Sequence, residues 1–477
     1  MERPRLVNIA VIGLGKLGLG LASALEGSQS SKDYPALKVI GIDQDSERVR
    51  SINEDKPEDI TSEPTLINRL HNGARPPAYT CLEDAVAEEE IEFDAYCILV
   101  PSPIGSSGFS YSFVQKAAED VGGDIYGATK VKYVMINSTL SPGAINRCII
   151  PAIEKESGKK EGEGFHVCYT PETVALGKVV EGFITPNTMI IGSNNPANAL
   201  VVEDMYKQMV DEGTEFHHMT LEEAEIAKIA LNCYLTTKIS FANEIDTLCR
   251  DFAAREYKAG QRSKIDSSSI LRAIGGDPRI GYKYLRGGLA YGGFCFPRDI
   301  IAYRTFAWGN SFDKQKDYSS VILAGDEVNN RIKARFSALV LENAEALSLI
   351  KRRRINLGIV GLAFTNGTSE AEQSPAVHLA SSIRPCDTYH NWHEVANQPI
   401  QVYDPKATDN FLQIVHNGQF YLTGQTKYTP VGLVELVQNC DLIVICMPWD
   451  TIEKDFINAL NQRTGDSPVV LDPWEAL

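Results

Sequence analysis

The run Val7–Ile12, the glycine series Gly13-Leu14-Gly15-Lys16-Leu17-Gly18 and the following LGLASALE constrain the fold more than any other stretch. A short apolar run, closely spaced glycines and then a helical apolar pattern read as strand, tight turn and helix. A second apolar run, Leu37–Ile42, closes on Asp43. Strand, glycine turn, helix and a strand ended by an acid form the dinucleotide-binding arrangement. Gly13, Gly15 and Gly18 permit the turn and bring the helix N-terminus, with Lys16 and Leu17, against a pyrophosphate. Asp43 at the strand end suits a free ribose 2′-hydroxyl, which predicts NAD rather than NADP. Gly18 and Asp43 are 25 residues apart, against the usual spacing of about 20. The polar stretch Gly27–Asp33 reads as a loop insertion that accounts for the difference.

Further strands are predicted at Ala95–Val100, ending Pro101-Ser102-Pro103, at Tyr133–Asn137, ending Ser138-Thr139, and at Met189–Gly192. Strands alternating with helices imply a parallel sheet covered on both faces. Ligands of such sheets bind beyond the carboxyl ends of the strands, so Pro101, Ser102 and Thr139 are candidate cofactor contacts. Ser102 equally suits a helix N-cap.

At 477 residues the chain exceeds one comfortable core, so two or three domains are expected. The net charge of −16 argues against broad nucleic-acid binding, which needs a basic surface. The ten cysteines are scattered and form no C-x-x-C pair, so neither a zinc knuckle nor a thioredoxin-like site is supported and no metal is expected. Cys97 and Cys446 sit in apolar runs, as small hydrophobes do. A reducing, cytoplasmic setting fits, with no secretory leader and no membrane-spanning segment expected.

From Thr220 to Arg250 the pattern turns helical, and it is long enough to form a spine between two lobes. Lys228 and Asn232, four apart, share a face with the apolar Leu235 and Ile239. A lysine and an asparagine on a burying face need polar company, which a ligand can supply; a lysine stem reaching to solvent is the alternative. A second, smaller α/β unit begins near Arg352, with strands at Ile355–Val360, Ile400–Tyr403 and Leu442–Cys446. Gly309–Asp317 and Pro385–Pro399 read as surface loops.

Between these parts lies Gly292-Gly293-Phe294-Cys295-Phe296-Pro297-Arg298-Asp299. The glycines let the main chain approach a ligand closely and the proline fixes the exit. A thiol held this way, with a carboxylate four residues on, suits covalent chemistry; a buried cysteine in an ordinary turn is the alternative.

Ten motifs in order now carry a resemblance: VIGLGKLG, the EP of Ser62-Glu63-Pro64, VPSP, NSTLSPG, Pro171-Glu172 with Gly177, AKIALN, GGDPRIG, YGGFCFPRD, GLAF with Ser374-Pro375, and YDP. Over almost its whole length the chain resembles the nucleotide-sugar dehydrogenases, the UDP-glucose and GDP-mannose dehydrogenase family. The resemblance implies an α/β chain in three parts. Residues 1–218 would form an NAD-binding Rossmann domain, 219–335 a central helical dimerisation region with the cysteine, and 336–477 a Rossmann-like nucleotide-binding domain. It implies a four-electron oxidation of a sugar C6 alcohol to the carboxylate, with a UDP-sugar as the expected substrate. Cys295 would be the nucleophile, passing through a thiohemiacetal and a thioester. Lys228 and Asn232 would stabilise oxyanion character, and Asp299 and Thr139 would orient water and relay protons. Glu172 would be the base for thioester hydrolysis. Arg279 would reach substrate across a homodimer interface, with Tyr284, Tyr291, Gly292 and Phe364 as further substrate contacts.

Several positions depart from the family pattern. Thr365 replaces a substrate-contacting lysine, Glu372 an arginine at the NAD pyrophosphate, and Leu176 an acid. Thr173-Val174 stand for an aromatic–leucine pair, Phe294 for a serine, and Arg298 for a lysine. At about 5 Å and an effective dielectric of about 20, the lost attraction at Glu372 is roughly 3 kcal/mol before screening. Two other functions fit parts of the pattern. A two-electron hydroxyacid dehydrogenase shares the lysine–asparagine helix pair but has no use for Cys295 or a second α/β domain. A degenerate nucleotide-binding scaffold would keep the folds without the reaction.

Overall fold

The computed structural model describes residues 3–28, 34–105, 108–261, 265–309, 319–383, 397, 399–417 and 427–475. Much of the predicted Gly27–Asp33 insertion and of the two predicted surface loops lies outside those residues. The chain forms two compact units, Met1–Leu231 with Ile301–Lys314, and Asn232–Ile300 with Gln315–Leu477.

In the first unit the sheet strands are β1 (Asn8–Ile12), β2 (Lys38–Ile42), β3 (Ala78–Tyr79), β4 (Ala95–Ile98), β7 (Lys132–Ile136), β8 (Phe165–Tyr169), β9 (Thr188–Ser193) and β10 (Glu215–Met219); β5 (Ile104–Gly105) and β6 (Gly108–Phe109) form a small separate hairpin. The sheet runs β10-β9-β8-β7-β4-β1-β2-β3. Alternate residues feed two cores, as a strand buried on both faces requires. Ile9, Val11, Cys97 and Met135 enter one core; Ala10, Ile12, Tyr96 and Val134 enter the other. The predicted all-parallel sheet is corrected at one place, because β8 pairs with β9 antiparallel. The chain reaches β9 through the short helix Val179–Ile184, without the full crossover helix that a parallel return needs.

The second unit repeats the arrangement on a smaller scale. Strands β11 (Leu357–Val360), β12 (Ile400–Tyr403), β13 (Tyr428–Pro430), β14 (Leu442–Ile445) and β15 (Val469–Leu471) lie in the order β13-β12-β11-β14-β15, and every pairing is parallel. Leu357 and Ile359 face one core, Val360, Ile443 and Ile445 the other.

The predicted helix over Thr220–Arg250 is present as Leu221–Lys258, 38 residues that run on past the expected end. Its burying face differs from expectation. Leu235 and Ile239 are only half-buried, whereas Asn232, Thr236, Ser240 and Asn243 are buried. Partners repay that burial: the Ser240 hydroxyl donates to the Gly325 carbonyl at 2.7 Å, and Asn243 accepts from Gly288 N at 3.0 Å. Among the described residues no helix is long and apolar enough to cross a membrane.

Candidate active site

In the first unit, β1 ends at Gly13, whose φ is +93°. A Cβ there would lie 2.3 Å from the Leu99 carbonyl oxygen, so only glycine allows the turn this close to β4. Gly13 N donates to Ile42 O at 2.8 Å and Leu14 N to the Asp43 carboxylate at 2.7 Å. A Cβ on Gly18 would collide with the Gly13 carbonyl, whereas one on Gly15 would meet nothing. Gly15 N-caps the helix Lys16–Glu26 without a side-chain bond. An uncapped helix start fronted by open space is what a pyrophosphate needs. The open helix start after Gly13 and Gly15 therefore fits the pyrophosphate of NAD, and Asp43 stands at the end of the neighbouring strand.

Arg48, five residues after Asp43, pairs with its carboxylate at 2.8 Å. The sequence reading missed this arginine, although a cation just beyond a strand-end acid was its available signal. Ser102 and Thr139 are both buried at the carboxyl ends of their strands. Ser102 caps no helix, since the next helix begins at Ser112. Ser138, also missed, ties the two strand ends together: its hydroxyl accepts from Val100 N at 2.9 Å and donates to Val100 O at 2.8 Å.

Asn137 does the same for β7 and β8. Its amide donates to the Thr170 carbonyl and hydroxyl, each at 2.9 Å. Thr139 and Glu172 follow these locked positions by two residues each. Glu172 is half-buried and accepts from Val174 N at 3.1 Å. The buried Lys228 ammonium donates to the Glu172 carbonyl at 2.6 Å, so its polar company is main chain and it does not reach to solvent. One turn earlier, the fully buried Glu225 accepts from Gly143 N and Ile145 N, beyond Thr139. Burial pushes its carboxyl up to about 7.

In the second unit Cys295 is solvent-exposed at the first position of the helix Cys295–Gly309. The alternative of a buried structural cysteine does not hold. Three buried thiols contrast with it: desolvation pushes Cys97, Cys168 and Cys440 up to about 12. The glycines before Cys295 are required by close approach. A Cβ on Gly292 would sit 2.0 Å from the Gln373 carbonyl oxygen, and one on Gly293 (φ +79°) 2.7 Å from the Phe364 ring. Phe364 thus backs the thiol loop, and the Glu372 carbonyl accepts from Gly293 N at 3.1 Å.

Asp299 is fully buried. The Asn232 amide donates to one carboxylate oxygen at 2.6 Å and Arg298 Nε to the other at 2.9 Å. Asn232 therefore finds its polar partner in Asp299. The Arg298 guanidinium also lies 5.1 Å from the centroid of the Phe294 ring. Two departures from the family pattern are in contact here, since a planar guanidinium can bond a carboxylate at its edge and meet a ring with its face.

Tyr291 is buried beside this loop, whereas Tyr284 is exposed, with φ +62°. Arg279 is exposed and forks onto Asp277, with contacts from 2.6 to 3.2 Å. At the carboxyl end of the smaller sheet, Gly361 and Asp404 repeat the Gly13–Asp43 geometry. Gly361 N donates to Tyr403 O at 2.9 Å and Leu362 N to Asp404 at 2.7 Å. A cleft of about 260 Å³ opens there, lined by Thr365, Asn366, Asp404 and Trp449 among others.

Residues 7–210 match the NAD-binding domain of the UDP-glucose/GDP-mannose dehydrogenase family, and residues 222–331 match its central domain. A UDP-glucose 6-dehydrogenase of Rickettsia bellii is 26% identical over 449 residues, covering 94% of this chain and 90% of its own. A GDP-mannose 6-dehydrogenase of Pseudomonas aeruginosa is 25% identical over 384 residues, covering 79% and 78%. The solved UDP-glucose dehydrogenase of Pyrobaculum islandicum superposes with a TM-score of 0.77 at 25% identity, covering 100% of this chain and 96% of that one. The chain belongs to the UDP-glucose/GDP-mannose dehydrogenase family, as an NAD-dependent oxidoreductase with an N-terminal NAD-binding domain.

Proposed function

We propose that this protein oxidises the C6 alcohol of a nucleotide sugar, of the UDP-glucose or UDP-N-acetylhexosamine type, to the carboxylate, with Cys295 holding the carbon between the two oxidations. The observation that carries this reading is the exposed thiol at a helix start, on a diglycine loop too tightly packed for any side chain. A helix N-terminus favours negative charge, which suits an attacking thiolate. Bound NAD supplies a hydride acceptor, and Gly13 to Gly18, Asp43, Pro101, Ser102 and Thr139 are the residues to hold it.

The Cys295 sulfur adds to the aldehyde carbon, whose oxygen takes a proton, giving a thiohemiacetal. Loss of hydride and of the hydroxyl proton from that adduct leaves a thioester. Water then cleaves the carbon–sulfur bond, releasing the acid and returning the thiol. Lys228 and Asn232 carry N–H groups for the developing oxyanion, and Asp299 orients Asn232 while, with Thr139, placing water. Glu172 takes the proton of the hydrolytic water.

The three-part division at 218 and 335 belongs to the same proposal, with the C-terminal cleft taking part in nucleotide binding. So does a homodimer. Tyr234, Phe241, Leu248 and Phe252 are exposed at spacings of seven and four on the long helix, an apolar stripe suited to a second copy. Arg279 is exposed, and the same proposal has it serve a neighbour's substrate on leaving Asp277. A cytoplasmic location fits the reduced thiol that the chemistry needs.

A panel of UDP-, GDP- and dTDP-sugars scored for NADH tests the reading. Two NADH per sugar acid are expected, with Cys295→Ala forming no acid. One NADH per substrate, or full acid formation by the variant, would refute it.

A further inference from the structure

Cys295 follows Tyr291 by four residues, across Gly292, Gly293 and Phe294. Glycine surrenders the most backbone freedom on ordering, and Phe294 is half in solvent. The Glu372 carbonyl and the Phe364 ring hold the middle of the segment, and the anchors at its two ends set where it starts and stops. The downstream end is held by Asp299. The upstream end is held by the helix Ser320–Lys351.

On that helix Asn329 is 1% exposed, and its carboxamide meets one residue twice. Oδ1 accepts from Tyr291 N at 2.9 Å, and Nδ2 donates to Tyr291 O at 3.2 Å. One side chain thus serves Tyr291 as a neighbouring strand would, in a segment that belongs to no sheet. One turn earlier Asp326 accepts from the Tyr291 phenol at 3.3 Å. The Tyr291 ring in turn meets Phe296, the residue after the thiol, edge-on at 5.9 Å. Main chain, phenol and ring are all held, so the diglycine starts from a fixed point.

We propose that Asn329 is a positioning residue for Cys295: through the main chain of Tyr291 it sets where the diglycine delivers the sulfur. The proposal rests on the reading of Cys295 as nucleophile. It adds that the sulfur's position is specified by a buried amide 34 residues downstream. An aliphatic side chain of the same size would fill the space and orphan both Tyr291 groups.

The test combines turnover with two readouts that need no substrate. Asn329→Leu is expected to lower kcat thirty- to a hundredfold, the scale of about 1 Å of misplacement, with KM within about threefold. Its Cys295 should also react with iodoacetamide along a shifted pH profile, with Cys295→Ala giving the background. In the native protein, hydrogen exchange at the Tyr291 amide should be slow although it lies in a loop. A kcat within threefold of wild type together with an unshifted alkylation profile would overturn the proposal, even if the variant melted earlier. Should Asn329→Leu fail to fold, exchange decides: a Tyr291 amide exchanging at the rate of a free peptide would overturn it too. If Cys295→Ala kept full acid formation, the nucleophile reading would fail separately, and alkylation and exchange would still judge Asn329.

Discussion

Phe294 and Arg298 depart from the family pattern together, and replacing them singly and jointly tests whether they act as one contact. The Arg298 guanidinium sits 5.1 Å from the Phe294 centroid, with its side chain 11% exposed. A partly desolvated cation over an aromatic face is worth about 1 kcal/mol. Phe294→Ser removes the ring. Arg298→Lys keeps the charge for Asp299 but offers no flat face. Each single change therefore loses the same contact, and about 1 kcal/mol is roughly a fivefold change in rate. Once either partner is gone the second substitution has nothing left to break. The double variant should fall about fivefold as well, where independent effects would give about twenty-five-fold. Four proteins assayed for kcat/KM of NADH formation, and for Cys295 alkylation at one pH, give the cycle. Rates are preferred to unfolding because the contact borders Cys295, whose reactions they report. If the double effect equals the product of the singles within about a factor of two, the pair is not coupled and the reasoning fails.

Glu225 makes stability depend on pH. Its carboxyl rises from 4.5 to about 7 through burial, with Glu222 raising it further and the Gly143 and Ile145 N–H groups and Arg147 opposing. The native state then holds more protons than the unfolded chain between about 4.5 and about 7, so the stability this group contributes is lost as pH rises through that window. The melting temperature of wild type relative to Glu225→Gln should fall across it, and parallel curves would exclude the linkage. Cys97, Cys168 and Cys440 should be silent to a thiol reagent at near-neutral pH, with Cys295→Ala removing the fastest phase; a fast phase that survives the substitution would mean another thiol is the reactive one. Gly293→Ala drives a Cβ into the Phe364 ring at φ +79°. At least a tenfold loss of Cys295 alkylation is expected, with part regained in combination with Phe364→Ala, because the clash is relieved while the backbone strain stays.

The larger features of the fold were legible because they are local. Val7–Ile12 with its glycines, and the acid ending Leu37–Ile42, announce a strand–turn–helix–strand from neighbouring residues alone, and the long helix over Thr220–Arg250 follows from its helical pattern, though not its extension to Lys258. The antiparallel β8–β9 pairing was not legible. Apolar runs reveal that a strand is buried, but its direction depends on where the connection crosses, and the short helix Val179–Ile184 leaves no periodic signal of that.

The candidate site divides the same way. Cys295 stood out because glycines, proline and a carboxylate surround it within eight residues. The partners of the buried polar groups did not, because burial pairs residues by space and not by spacing. Asn232 meets Asp299 across 67 residues, and Ser138 meets Val100 across 38. The sequence could therefore say that Asn232 lacked a partner on its own helix face and still assign it to a ligand. The carboxylate it finds instead takes one of its two N–H groups and fixes the plane of its amide. If Asn232 serves an oxyanion, it does so with the remaining N–H, in a direction chosen by Asp299. Removing that carboxylate should then impair the first oxidation as well as hydrolysis, which a role for Asp299 confined to placing water does not predict.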